Sequence, residues 1–150
     1  MEKGRRRRAL LGANVGHTLR VSAQVSSLIM MRRFVENTTG ALQASLAAIA
    51  DLVQAVDESV TNIIFHGYQG RPGDIEVEMR KEQDALVICL RDQAPLFDPT
   101  LVPPPDLTLP QEQRCLGGLG IFLTRRFTDA MGHRVTPEGG NELTLRKNHN

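Results

Sequence analysis

Glu58, Asn62 and His66 recur every four residues in the stretch DESVTNIIFHGY, residues 57 to 68. On a helix they form one polar ridge, with neighbours about 5–6 Å apart. A carboxylate and an amide oxygen set side by side are hard oxygen groups, suited to magnesium or to a water oriented by it. A solvated helix end, with His66 favoured by the helix dipole, is the other reading of the same spacing. Asp92 closes the apolar run ALVICLRD and is followed by Ala94 and Pro95. There a carboxylate can accept a hydrogen bond from the exocyclic amine of a purine, while the small residues leave room for a flat ring. A strand-ending Asp also serves as an ordinary turn residue, as Asp98 before Pro99 does. GGLG, residues 117 to 120, opens a helical pattern. Glycine lets backbone N–H groups approach an anion and the helix N-terminus attracts it, so phosphate is the natural ligand, with a plain hinge as the alternative. The cluster fits neither GxGxxG nor GxxxxGK[ST], so neither Rossmann nor Walker chemistry is supported.

The elements that must position these groups are legible in the periodicity. HTLRVSAQ, residues 17 to 24, alternates apolar and polar and predicts a strand. Ser26 or Ser27 then caps a helix that runs to about Gly40. From Gln43 to about Phe65 apolar residues recur at spacings of three and four without Gly or Pro, which predicts one long helix. IEVEM and ALVICLRD read as strands of a hairpin turning through RKEQD, the second suited to the centre of a sheet. Residues 93 to 116 hold six of the eight prolines and no periodic pattern, which predicts a functional loop or lid. GGLGIFLTRRFTDAMG predicts a helix closed by Gly132. HRVTPEGGNELTLRK predicts two short strands around a Gly-Gly turn. The order β-α-α-β-β-lid-α-β-β points to an α+β domain with helices on one face of a mixed sheet.

Composition narrows the function classes. With 150 residues the chain has room for one domain with a core. A formal net charge of +1 argues against a dedicated nucleic-acid binder. Two cysteines, Cys89 and Cys115, stand in no CxxC or metal-ligand spacing, so neither a disulfide framework nor a zinc site is expected. No secretory signal and no apolar run of membrane length is present, so a cytoplasmic location without membrane attachment is expected. Residues 1 to 16, with Arg5 to Arg8 as a basic run, read as a disordered tail, or as an anionic-surface or nucleic-acid anchor.

In series these motifs carry more than they do singly. A helix with E-x-x-x-N, a hairpin strand ending in D-x-A-x-x-F-D-P, a proline-rich lid and G-G-x-G-I starting a helix resemble the nucleotide-binding fold of the GHKL ATPase/kinase superfamily. Within it the chain is similar to the bacterial anti-sigma factor serine/threonine kinases of sporulation and general stress responses. The resemblance covers about residues 17 to 147 and implies a single-domain α/β sandwich of the GHKL (Bergerat) type, residues 17 to 150. Its sheet would be mixed and mostly antiparallel, with helices on one face and a flexible ATP lid at about 93 to 116.

The resemblance implies ATP and Mg2+ as cofactors, Asn62 as the magnesium-coordinating amide, and Glu58 as the general base activating a serine hydroxyl or water. Asp92 would take the adenine amine, and Gly118 and Gly120 the phosphates. Ala94, Phe97, Gly117, Leu119 and Ile121 share those boxes, and His66 would reach the phosphate side. Ala94 stands where the family has glycine, and Arg114 is shifted in register from an arginine found before the family's final glycine box. The implied partners are a sigma factor and a small anti-sigma-factor antagonist protein, phosphorylated on Ser or Thr, with a homodimer expected. Leu28, Ile29 and Met31 of the first helix are candidates for its interface, or for ordinary core. The alternative is a nucleotide-gated binding module of the same fold with little or no kinase activity. A sensor histidine kinase is disfavoured, because none of the four His sits in a phospho-acceptor context.

Overall fold

The structure, a computed structural model, describes residues 16–113 and 118–148. The basic run Arg5 to Arg8, Arg114, Cys115 and Gly117 lie outside the described residues. Strands β1 (His17–Ser22), β2 (Asp74–Glu82), β3 (Ala85–Asp92), β4 (Ala130–Val135) and β5 (Asn141–Asn148) form one sheet in the order β1-β2-β3-β5-β4. Every pairing is antiparallel. Helices α1 (Ser27–Ala41), α2 (Leu46–Asn62) and α3 (Gly118–Phe127) complete the layer pair.

Alternation sorts the strands into two faces. On one, Val77 stands opposite Leu90, which stands opposite Leu143, and Met79, Ile88 and Leu145 form the next row. These residues share one core with Met31 and Val35 of α1 and Leu52, Val56 and Val60 of α2. The opposite face is a lattice of charge. Arg91 reaches Glu76, Glu78 and Glu142 at 2.7–2.8 Å, and Arg134 joins Glu142 at 2.6 Å. Cross-strand pairs of opposite charge let this face meet water without an apolar patch. Burial on both faces explains the near-continuous apolar run of β3, the central strand.

Ser45 caps helix α2, its side chain accepting from the N–H of Ala48 at 3.1 Å, and the helix begins at Leu46, three residues after the predicted start. It remains α-helical to Asn62 and then widens into a π-helical turn, Ile63–Tyr68, ended by Gln69 at φ 53°. Such turns are rare and occur often at functional sites. Tyr68 anchors the turn. Its hydroxyl donates to the Asp74 carbonyl at 2.7 Å and accepts from the Gln93 N–H at 2.8 Å, next to Asp92.

Two further boundaries differ from the sequence expectation. The hairpin turns tightly through Gln83 and Asp84, because β2 continues to Glu82. Helix α3 ends at Phe127 rather than near Gly132. The Asp129 N–H already bonds the Arg146 carbonyl, and Ala130 to Gly132 pair with β5, so an open sheet edge outcompetes continuation of the helix. Met31 is core, at 1% exposure, whereas Ile29 of the same helix is exposed. The loop after β3 contains short 3-10 turns at Pro99–Leu101 and Gln111–Gln113.

Tyr68→Phe leaves a part-buried carbonyl and N–H without their partner. It is expected to lower unfolding free energy by about 1–3 kcal/mol in urea denaturation. An unchanged midpoint would show that the hydroxyl bridge does not hold the π-helical turn to the sheet.

Candidate functional site

A cavity of about 350 Å³ opens between the C-terminal part of α2, the π-helical turn, the end of β3, helix α3 and strands β4 and β5. Of the residues singled out in the sequence, Glu58, Asn62, His66, Asp92, Ala94, Phe97 and Ile121 line it. Gly118, Leu119 and Gly120 form the first turn of α3 beside the cavity without lining it, and Leu119 is exposed. Gly120 is nonetheless tied to the ridge, since a Cβ there would lie 3.0 Å from Glu58 Oε2. Glycine at this position lets α3 approach α2 closely. Behind the contact, Ser59 and Thr124 hydroxyls meet at 3.4 Å, with Thr124 donating to the Gly120 carbonyl.

The ridge divides its labour. Asp57 pairs with Arg32 at 2.8 Å and so clamps α2 to α1. Glu58 and Asn62 have no side-chain hydrogen bond among the described residues, although both line the cavity. Burial pushes the Glu58 carboxyl above its ordinary range, and the neighbouring Asp57 charge adds to the shift. The ionised form is therefore disfavoured in the folded protein.

At the cavity floor Asp92 is 7% exposed. Its Oδ1 accepts from the Ala94 N–H and from Asn141 Nδ2, both at 3.0 Å, and Oδ2 accepts no hydrogen bond among the described residues. Burial raises the Asp92 carboxyl, against the lowering effect of those bonds and of nearby His133. Strand β5 delivers Asn141 through Gly140, where a Cβ would collide with the Asp92 carbonyl oxygen. Asn141 Nδ2 also donates to the carbonyls of Ala94 and Pro95 at 3.2 Å, and its Oδ1 accepts from the Phe97 N–H at 3.0 Å. His133 Nε2 lies 2.8 Å from the same oxygen and must donate to it. His133 Nδ1 then faces Asp98 Oδ2 at 3.8 Å. From α3, Arg125 donates to the carbonyls of Pro99, Thr100 and Val102, fixing the root of the proline-rich loop.

Ser59, Thr124, His133 and Asn141 line the cavity without having been expected from the sequence. Asn141 follows a Gly-Gly turn and looks like an ordinary strand start, and His133 comes from a stretch read as the end of a helix and the start of a strand. Only the sheet order, which sets β5 beside β3, brings them to Asp92. Chemically, the floor offers a buried acceptor between apolar walls of Leu96, Ile121, Met131 and Leu143, and the mouth a carboxylate and an amide. A flat heteroaromatic ring bearing an amine fits the floor, and a hydrated cation with phosphate oxygens fits the mouth.

The fold and this site define the class. The histidine kinase-like ATPase domain family matches residues 21–147, and the chain belongs to it. Its relatives are protein kinases by name. It is 30% identical over 117 residues to the serine-protein kinase RsbW of Listeria monocytogenes, covering 75% of this chain and 74% of that one. It is also 30% identical over 95 residues to the serine/threonine-protein kinase BtrW of Bordetella bronchiseptica, covering 63% of this chain and 66% of that one. Among solved structures, it resembles the RsbU and RsbW domains of Rv1364c from Mycobacterium tuberculosis at TM-score 0.65 and 16% identity, covering 91% of this chain and 32% of that one. The SiaB-SiaC complex from Pseudomonas aeruginosa has the same fold at TM-score 0.56 and 16% identity, with 95% of each chain covered.

Because the Glu58 carboxyl is raised on folding, its charge works against the folded state once pH passes the unfolded value, and fully so above the folded one. Glu58→Gln is therefore expected to be more stable than wild type at pH 7 in urea titrations, with the gain vanishing below the carboxylate range. A variant less stable at pH 7 would show that Glu58 is held by a favourable contact.

Proposed function

We propose that this protein binds ATP with Mg2+, transfers the γ-phosphoryl group to a Ser or Thr of a small anti-sigma-factor antagonist protein, and sequesters a sigma factor in a manner switched by that reaction. The observation that carries the reading is the convergence of Glu58 and Asn62, on a helix, with Asp92, at the end of a strand thirty residues on, around a single cavity. Similarity to serine-protein kinases of the RsbW type supports the choice of substrate.

The bound nucleotide supplies the phosphoryl group, and Mg2+ neutralises charge on its phosphate oxygens. Asp92 Oδ2 accepts from the adenine amine, and Ala94, Phe97 and Ile121 exclude water from the ring. Asn62 would hold the cation through its amide oxygen. Among the described residues no group of three or more His, Cys, Asp or Glu could hold a metal. The first turn of α3, with Gly118, Leu119 and Gly120 and preceded by Gly117, turns N–H groups toward the phosphates. His66, exposed at the rim, lies on the phosphate side. Glu58 takes the proton from the attacking hydroxyl as its oxygen bonds to phosphorus and ADP leaves. A raised pKa brings this base closer to the operating pH.

Ala94 favours a second reading. It is buried and held through both its N–H and its carbonyl, which stiffens the root of the lid. A nucleotide-gated binding module with slow transfer would use the same site. For a homodimer, exposed Val25, Ile29 and Met30 of α1 and the turn before it offer apolar surface. No helix among the described residues is long and apolar enough to cross a membrane, and we place the protein in the cytoplasm, without nucleic acid as a direct partner.

Calorimetric titration with ATP, with and without magnesium, tests the site. Magnesium-dependent binding is expected in the wild type and at least tenfold weaker binding in Asn62→Ala, while Glu58→Ala keeps the affinity and loses phosphorylation of the antagonist. Equal transfer by Glu58→Ala would remove it as the base, and no ATP binding by the wild type would overturn the reading.

A further inference from the structure

Asn141 makes five hydrogen bonds from one buried side chain, and none of them goes to its own strand. Its orientation is not a matter of choice. The Phe97 N–H can only donate, so it requires Oδ1, and the carbonyls of Ala94 and Pro95 can only accept, so they require Nδ2. His133 adds a second donor to Oδ1 through its Nε2–H. Asn141 is thereby locked with an N–H aimed at Asp92 Oδ1, and that oxygen is held as an acceptor.

We propose that Asn141 is the positioning residue that sets base specificity in this pocket: by occupying Asp92 Oδ1 it keeps Asp92 an acceptor toward the ligand, and so selects a 6-aminopurine over a 6-oxopurine. The inference rests on the nucleotide reading of the cavity. With the amide in place, Oδ2 meets a base amine favourably and a base carbonyl as a repulsive pair of acceptors. Without it, a buried carboxyl already raised by desolvation loses the hydrogen bond that most lowers it. It then takes up a proton more readily, and a protonated carboxyl donates to a carbonyl as well as it accepts from an amine. The same residue grips the carbonyls of Ala94 and Pro95 and the N–H of Phe97, so base selection and the root of the lid are one hydrogen-bonded unit.

ATP and inosine triphosphate differ at this edge by an amine exchanged for a carbonyl and by N1, an acceptor in adenine and an N–H donor in hypoxanthine, and they separate specificity from folding. In magnesium-containing buffer, calorimetry of the wild type is expected to favour ATP by tenfold or more. Asn141→Ala is expected to bring the ratio to within about threefold of unity, by weakening ATP and strengthening inosine triphosphate. His133→Ala leaves both hydrogen bonds to Asp92 in place and removes a bond that orients the amide, together with the imidazole's own effect on the Asp92 carboxyl. It is expected to give an intermediate ratio, and it carries the test if Asn141→Ala does not fold, as judged by its melting transition. A purely structural role would weaken both nucleotides alike and preserve the ratio, which would overturn the proposal while leaving the nucleotide site standing. A wild type that binds neither nucleotide would overturn both.

Discussion

A carboxylate must remain buried at the end of β3 and still present a free oxygen, and much of the molecule is arranged around that requirement. An unpaired buried charge is costly, whereas one supplied with hydrogen bonds is tolerated. Asp92 is held by one backbone N–H and one amide, and both bonds fall on the same oxygen. The amide arrives on β5, the neighbour of β3, and its approach needs Gly140, where any side chain would strike the Asp92 backbone. Tyr68 closes the other side by bonding the N–H that follows Asp92, which draws the π-helical turn onto the sheet. The site is thus assembled by the sheet, with the helix layer brought up to it.

The helix layer carries the reactive ridge at some cost to stability. Asp57 is satisfied by Arg32, but Glu58 and Asn62 take no partner among the described residues, and Glu58 is pressed by both burial and its neighbour's charge. The core that compensates is conventional: aliphatic rows from β2, β3 and β5 packed on α1 and α2. On the far face, Arg91 among three glutamates keeps the sheet flanked by paired charge. Arg125 fastens the helix bearing the glycine turn to the carbonyls at the root of the proline-rich loop.

Local signals made part of this legible from sequence. The four-residue spacing of Glu58 and Asn62 lies on a helix as read, and the apolar run ending in Asp92 is the central strand, because period and burial there are strong. The α3 boundary was misread since Ala130 and Met131 have good helical propensity, and what pulls them away is β5, which comes later in the chain. The π-helical turn has no compositional mark and depends on Tyr68 reaching Asp74 and Gln93. Asn141 and His133 were invisible for the same reason. A polar residue at a strand start carries no sign of what lies across the sheet, so their partnership with Asp92 exists only in the folded chain.

The central claim is that Asp92, framed by Asn141, receives an adenine ring while Asn62 holds the cation beside the phosphates. A crystal structure of the protein grown with magnesium and a non-hydrolysable ATP analogue tests it most directly. The expected result places the base amine within hydrogen-bond distance of Asp92 Oδ2, leaves the Asn141 bond to Oδ1 intact, and sets a magnesium ion on the Asn62 amide oxygen. A nucleotide bound outside this cavity, or seated in it with its amine turned away from Asp92, would contradict the claim.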